Sequence, residues 1–155
     1  MKKIAVLGGG QVGSSLAKIL TDDGNDITLV DINSSVLEDL QEDNDIKTIH
    51  GNASSPSILE QAELNDCDIL IAITGSDEVN LVSCHLAKKM FNVPTVIARL
   101  RNSEFQVSTS GFDLDLFSID SICLISLNFL FSSFFKIFKE ASKYWRADFL
   151  SFILR

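Results

Sequence analysis

Apolar residues along this chain fall into short continuous runs, and between the runs they recur every three or four positions, the signature of strands alternating with helices. The first run, Ile4-Ala5-Val6-Leu7, stops at Gly8-Gly9-Gly10; Val12, Leu16, Ile19 and Leu20 then keep helical spacing up to the turn formers Asp22-Asp23-Gly24-Asn25. Asp26-Ile27-Thr28-Leu29-Val30-Asp31 predicts a second strand. Ser35-Val36-Leu37-Glu38 has the spacing of a capping box, which predicts a helix to about Asp43 with Leu37 and Leu40 on one face. Ile46-Lys47-Thr48-Ile49 reads as a third strand, and Ser55 and Pro56 as the N-cap and first residue of a short helix through Leu59 and Ala62.

The run from Cys67 to Thr74 is apolar enough for a central strand covered on both faces. Thr74-Gly75-Ser76 then supplies a turn and a cap, and Asp77 and Glu78 place acids in the first turn of a helix whose predicted core face is Val79, Val82, Leu86 and Met90. That helix stops at Asn92-Val93-Pro94. Thr95 to Arg101 predicts a fifth strand, a short helix is predicted near 103–110, and Leu116 to Asp120 a sixth strand. The alternation is that of an α/β fold with a doubly wound parallel sheet of about six strands over residues 1–120.

Composition narrows the reading. A chain of 155 residues holds one such domain with a genuine core but no additional full substrate domain. The formal charge is −8, with 15 acids against 7 bases in residues 1–100, and an acidic body argues against a nucleic-acid partner. Cys67, Cys84 and Cys123 form no C-x-x-C pair, and with only His50 and His85 available neither a disulfide framework nor a zinc site follows. Cys67 and Cys123 lie in apolar company, as small core residues do. The N-terminal run is too short for a signal peptide, so a cytoplasmic location is expected. The tail, 121–155, differs: ten of the eleven phenylalanines follow residue 101, and Ile122 to Phe135 is free of charge. That stretch is shorter than the roughly 18–20 residues a bilayer span needs, so it reads as a buried or interfacial helix running into the basic stripe Lys136, Lys139, Lys143 and Arg146.

The chemistry lies in Gly8-Gly9-Gly10-Gln11-Val12-Gly13. A strand entering G-x-G-x-x-G and leaving as a helix builds a pyrophosphate site: Gly8 allows the tight turn, Gly10 the close approach of the ligand, and Gly13 the packing of helix on strand. Asp31 falls at the end of the second strand, where a carboxylate accepts hydrogen bonds from ribose hydroxyls and repels a 2′-phosphate, favouring NAD(H) over NADP(H). ATP, ADP and AMP carry the same ribose.

Together with His50-Gly51-Asn52-Ala53-Ser54, Thr74-Gly75-Ser76-Asp77-Glu78-Val79-Asn80 and Ala98-Arg99-Leu100-Arg101, these blocks resemble the nucleotide-binding lobe (RCK or KTN) of Trk-type potassium-uptake regulatory subunits. The resemblance covers about residues 1–120. It implies a Rossmann-like lobe that binds NAD(H), or ATP or ADP in some members, and passes the ligand state to a membrane potassium transporter or channel from the inner face of the membrane. It also implies a homodimer or higher homo-oligomer. Carried over by position, Gly8, Gly10, Gln11, Val12 and Gly13 would line the phosphates, Asp31 would hold the adenosine ribose, and Asn52 and Ala53 would approach the adenine. Thr74 would lie beneath the phosphate or distal sugar, and Arg99 would neutralise phosphate charge or pair with an acid. His50 reads as a turn residue, Asp77 and Glu78 as dipole partners, and Arg101 as solvated.

Beyond Asp120 the tail departs from the family's proline- and glutamate-containing turn and amphipathic crossing helix. It reads either as a divergent dimer helix or as an aberrant C-terminus. Two other functions use the same residues: a small NAD-dependent oxidoreductase, for which the tail offers no histidine and only Glu140 and Asp148 as acids, and a truncated non-functional remnant. No catalytic or metal-ligating set emerges from the sequence.

Overall fold

The computed structural model describes residues 1–43, 45–102, 104–105 and 117–118. Strand β1 (Lys3–Leu7) leads into helix α1 (Gln11–Asp22), followed by β2 (Asp26–Asp31), α2 (Ser34–Asp43), β3 (Lys47–His50), α3 (Pro56–Gln61), a 3-10 turn (Leu64–Asp66), β4 (Ile69–Ala72), α4 (Asp77–Lys89), β5 (Thr95–Ala98) and β6 (Phe117–Ser118). The strands form one parallel sheet in the order β3-β2-β1-β4-β5-β6. The chain runs outward in one direction from β1, then returns to the other side of β1 with β4, so helices cover both faces.

Side chains alternate along each strand, and the two faces carry separate cores. Ile4, Val6, Ile27, Leu29, Ile69, Ile71 and Ile97 pack with Leu37, Leu40 and Ala17 on the α1 and α2 face. Ala5, Leu7, Val30, Leu70, Val96 and Ala98 pack with Leu59, Cys84 and Ala87 on the α3 and α4 face. Strand β4 is buried along its whole length, as its unbroken apolar run predicts. Each fully buried leucine contributes about 1.5–3 kcal/mol relative to exposure, which is why apolar runs dictate the strands so reliably.

Three local expectations are corrected. The capping residue of α2 is Asn33 rather than Ser35: its Oδ1 accepts the Ser35 N–H at 3.1 Å and the Ser35 hydroxyl at 2.8 Å, so Ser35 lies inside the first turn. Ser55 precedes α3 as predicted, but its side chain makes no capping bond; the hydroxyl meets that of Ser57 at 3.1 Å. Helix α4 buries Asp77, Asn80, Ser83, Cys84 and Ala87, whereas Val82 and Met90, predicted to be core, are 46% and 55% exposed. Polar anchoring, set out below, turns the apolar stripe partly outward. Of the helix predicted near 103–110, Glu104 and Phe105 are helical and the rest lies outside the described residues, as does the 121–155 tail.

Candidate functional site

In an open parallel sheet the crevice opens at the C-terminal strand ends, where neighbouring strands send their helices to opposite faces. Here that point lies between β1 and β4. Gly8 turns the chain out of β1 with φ of +107°, a conformation that L side chains rarely adopt, and its N–H donates to the Val30 carbonyl at 2.8 Å. A Cβ on Gly8 would lie 2.9 Å from the Thr74 backbone nitrogen, so the glycine turn packs directly against the backbone that leaves β4. Gly13 is tighter: a Cβ there would lie 1.8 Å from the Gly8 carbonyl oxygen. Around Gly10 the opposite holds, with no atom within 4 Å of the position a Cβ would take. Gly10 is also the N-cap of α1, and no side chain caps that helix. The turn therefore presents first-turn N–H groups, around Gln11 and Val12, to open space, the arrangement that attracts an anion.

Asp31 ends β2 half-buried beside this turn. Its Oδ2 accepts the Gly9 N–H at 2.5 Å and its Oδ1 accepts the Asn33 N–H at 2.7 Å. Each carboxylate oxygen keeps further acceptor capacity. Asp31 thus braces the glycine turn as well as offering acceptors at its rim, a second task that spacing alone does not reveal. Next to it, Ile32 is 72% exposed, and its carbonyl lies 3.0 Å from His50 Nε2. His50 is the last residue of β3 rather than part of a turn. Beyond it, the Asn52 Oδ1 accepts the Ser54 N–H at 2.9 Å and the Ser54 hydroxyl at 2.8 Å, closing a local loop. Ala53 is buried, and its carbonyl accepts the Ser83 hydroxyl at 2.9 Å.

On the other side, Thr74 and Arg99 follow β4 and β5 and are joined through Asn80, which is fully buried on α4. The Asn80 Oδ1 accepts the Thr74 N–H at 2.9 Å and the Thr74 hydroxyl at 2.7 Å, while its Nδ2 donates to the Arg99 carbonyl at 2.9 Å. Asp77, 9% exposed, accepts the N–H groups of Arg101 and Asn102 at 2.7 Å each through Oδ2. Asp77 therefore does more than favour the helix dipole: it fixes the backbone leaving β5. Ser76 caps α4, accepting the Val79 N–H at 3.2 Å and donating to the Glu78 carboxylate at 2.6 Å. That hydrogen bond holds the Glu78 carboxyl below the ordinary glutamate range. An open depression of about 470 Å³ lies between this N-terminus and the exposed Arg101, lined also by Gly75, Asn102 and Phe105. The Arg99 guanidinium makes no salt bridge among the described residues.

The predicted residues thus fall into three places along one edge. Gly8, Gly10, Gln11, Val12, Gly13 and Asp31 gather at the glycine turn; Asn52 and Ala53 lie past β3; Thr74 and Arg99 form the β4 and β5 side. Sequence reasoning passed over Asn80 and underrated Asp77. The available signal was that Asp77, Asn80, Ser83, Cys84 and Ala87 recur at helical spacing, small or polar residues marking an inward face. Among the described residues no group of histidine, cysteine or carboxylate side chains could hold a metal. Burial pushes the Cys67 thiol up to about 11 and the Cys84 thiol up to about 12, the state of core residues rather than nucleophiles.

Residues 4–115 match the family model described as the TrkA-N domain. Over 103 residues the chain is 50% identical to the Trk system potassium uptake protein TrkA of Haemophilus influenzae, a match covering 66% of this chain and 22% of that protein. The chain therefore spans about a fifth of the length of that relative. Among solved structures, the C-terminal domain of Kef from Shewanella denitrificans in its AMP-bound form superposes with a TM-score of 0.62 at 22% identity, covering 77% of this chain and 74% of that one. The GsuK channel bound to NAD gives 0.56 at 18% identity, covering 64% of this chain and 18% of that one. Both likenesses are of fold. No described helix is long and apolar enough to cross a membrane.

Proposed function

The chain belongs to the TrkA-N domain family, and from that membership and the geometry of the crevice we propose that it is a regulatory nucleotide-binding subunit of a potassium uptake system. NAD(H) is the favoured ligand, with ATP or ADP as the adenine-nucleotide alternative. The observation that carries this reading is the pairing of an open, uncapped glycine turn with a carboxylate 2.5 Å from its Gly9 N–H. An anion is attracted by the helix N-terminus, and ribose hydroxyls find acceptors one strand away. The fold neighbours bound to AMP and to NAD support the same ligand class, and the names of the relatives support the role in potassium uptake.

In this reading Gly8, Gly10, Gln11, Val12 and Gly13 surround the phosphates, and Asp31 holds the ribose. Asn52 and Ala53 flank the adenine, while Thr74 and Arg99 close the distal side. Residues 1–120 form the ligand lobe, which works as a homodimer or higher homo-oligomer. The lobe works at the inner face of the membrane, beside a potassium transporter. Ligand binding biases that transporter by no more than its differential affinity for two arrangements of the paired lobes, so no chemical step is needed.

Calorimetric titration of the full chain with NADH, NAD, ATP and ADP at one salt concentration tests this. Saturable binding is expected, with Asp31→Ala weakening it roughly 10- to 100-fold, the worth of hydrogen bonds to a charged group. Because Asp31 also braces the turn, Gly10→Ala serves as a second variant whose methyl enters open space. A folded, monodisperse wild type that binds none of the four would overturn the proposal.

A further inference from the structure

We propose that Asn80 is a positioning residue for the phosphate-bearing part of the ligand, acting through Thr74 and Arg99 without touching the ligand itself. The inference rests on the nucleotide-binding reading above and adds to it the residue that holds the β4 and β5 exits in place.

Asparagine is a poor helix former, and burying its amide is costly unless every polar atom is matched. Asn80 is fully buried in α4 and uses both ends of its amide. The oxygen takes the N–H and hydroxyl of Thr74 at 2.9 and 2.7 Å; the nitrogen gives to the Arg99 carbonyl at 2.9 Å, with the Thr74 carbonyl at 3.4 Å. One side chain thereby ties a helix to the exits of two neighbouring strands. Thr74 closes the loop further: with its hydroxyl proton given to Asn80, its oxygen accepts the Ser76 N–H at 3.3 Å.

The position of Thr74 matters because it faces the glycine turn at close range. A Cβ on Gly8 would meet the Thr74 nitrogen at 2.9 Å and its Cα at 3.0 Å. Any shift of Thr74 therefore disturbs the backbone on which the glycine turn rests. Asp31, by contrast, hangs on β2 and is held by Gly9 and Asn33, with no bond to α4. The two sides of the crevice thus have separate side-chain anchors: Asn80 on the β4 and β5 side, and Asp31 on the β2 side. A purely structural asparagine would weaken all ligands alike, whereas a positioning asparagine weakens only those that reach the β4 and β5 side.

The test is an amide NMR titration of the full chain, wild type and Asn80→Ser, with NADH, ADP and adenosine. Serine keeps the site neutral but is too short to span Thr74 and Arg99. The expected result is a loss of about tenfold or more in affinity for NADH and ADP, with adenosine affinity changed by less than about twofold. In an Arg99→Ala background the Asn80→Ser effect should shrink, because part of the arm it positions is gone. Equal weakening of all three ligands, or unchanged NADH and ADP affinity in a folded variant, overturns the proposal. Should Asn80→Ser fail to fold, the wild-type Asn80 side-chain amide resonances decide: they shift with ADP but not adenosine if Asn80 positions the arm, and are indifferent to ADP if it does not. Absence of any ligand binding by the wild type would instead remove the underlying reading.

Discussion

Replacing Gly13 by alanine measures how firmly α1 is seated on the glycine turn. The added Cβ would lie 1.8 Å from the Gly8 carbonyl oxygen, against a limit of 3.0 Å that real contacts essentially never breach, so the two must separate by about 1.2 Å. The oxygen cannot swing away cheaply. Gly8 is held at φ of +107° by its own N–H bond to Val30 at 2.8 Å, and it follows directly on β1. Overpacking of this kind costs about 1–3 kcal/mol, and a backbone partner puts it at the upper end. Alanine recovers about 1 kcal/mol in helix propensity over glycine, leaving a net loss of about 2 kcal/mol. For a domain of this size that lowers the melting temperature by roughly 5–10 °C. Urea unfolding followed by circular dichroism, with calorimetry for Tm, reads the change. Gly10→Ala is the matched control: its methyl meets nothing within 4 Å and its φ of −61° suits any residue, so the loss stays below about 1 kcal/mol. Equal stability of Gly13→Ala and wild type would refute the close packing and, with it, the reason for a glycine at that position.

Other measurements probe the remaining parts. Asp31→Ala should weaken nucleotide binding roughly 10- to 100-fold while costing some stability, because the Gly9 and Asn33 N–H groups lose their acceptor; the two effects separate by comparing titration with unfolding. Iodoacetamide at pH 8 should leave Cys67 and Cys84 unmodified in the native chain, as mass spectrometry would show, and rapid native alkylation would contradict their burial. Because folding raises both thiols above their ordinary value of 9.0, the stability they lend is complete below pH 9 and is lost as pH climbs through about 11 and 12. Ser76→Ala should destabilise α4 by about 1 kcal/mol through the lost cap, and should let the Glu78 carboxyl rise toward the ordinary range, which a carboxyl NMR titration would detect.

The helix α4 illustrates how function and packing interlock in this lobe. Its inward face carries Asp77, Asn80 and Ser83, each bonded to backbone outside α4: Arg101 and Asn102, Thr74 and Arg99, and Ala53. All three attachments are at C-terminal strand ends or the loops just beyond. A helix held this way positions the rim of the crevice rather than merely covering the sheet.

The order of strands and helices, the glycine turn and the acid that ends β2 were legible in the sequence, because each depends on local rules: apolar runs bury, glycine alone tolerates the turn, and a strand end places its last side chain at the sheet edge. Neighbouring blocks could be read in the same way, down to the N-cap at Ser76. Which face of α4 turns inward was decided by tertiary structure: of the apolar stripe Val79, Val82, Leu86 and Met90, Val79 and Leu86 pack against the core while Val82 and Met90 turn outward, because Asp77 and Asn80 find specific backbone partners 19 to 25 residues later. The same is true of the start of α2, where the capping-box spacing points to Ser35 and only the chain leaving Asp31 places Asn33 ahead of the helix as its cap. The double duty of Asp31 also needed the fold, because the contact with Gly9 spans 22 residues and exists only when β1 and β2 lie side by side. Periodicity reports burial averaged over a segment; hydrogen bonds between distant strand ends depend on register, and register is a property of the assembled sheet.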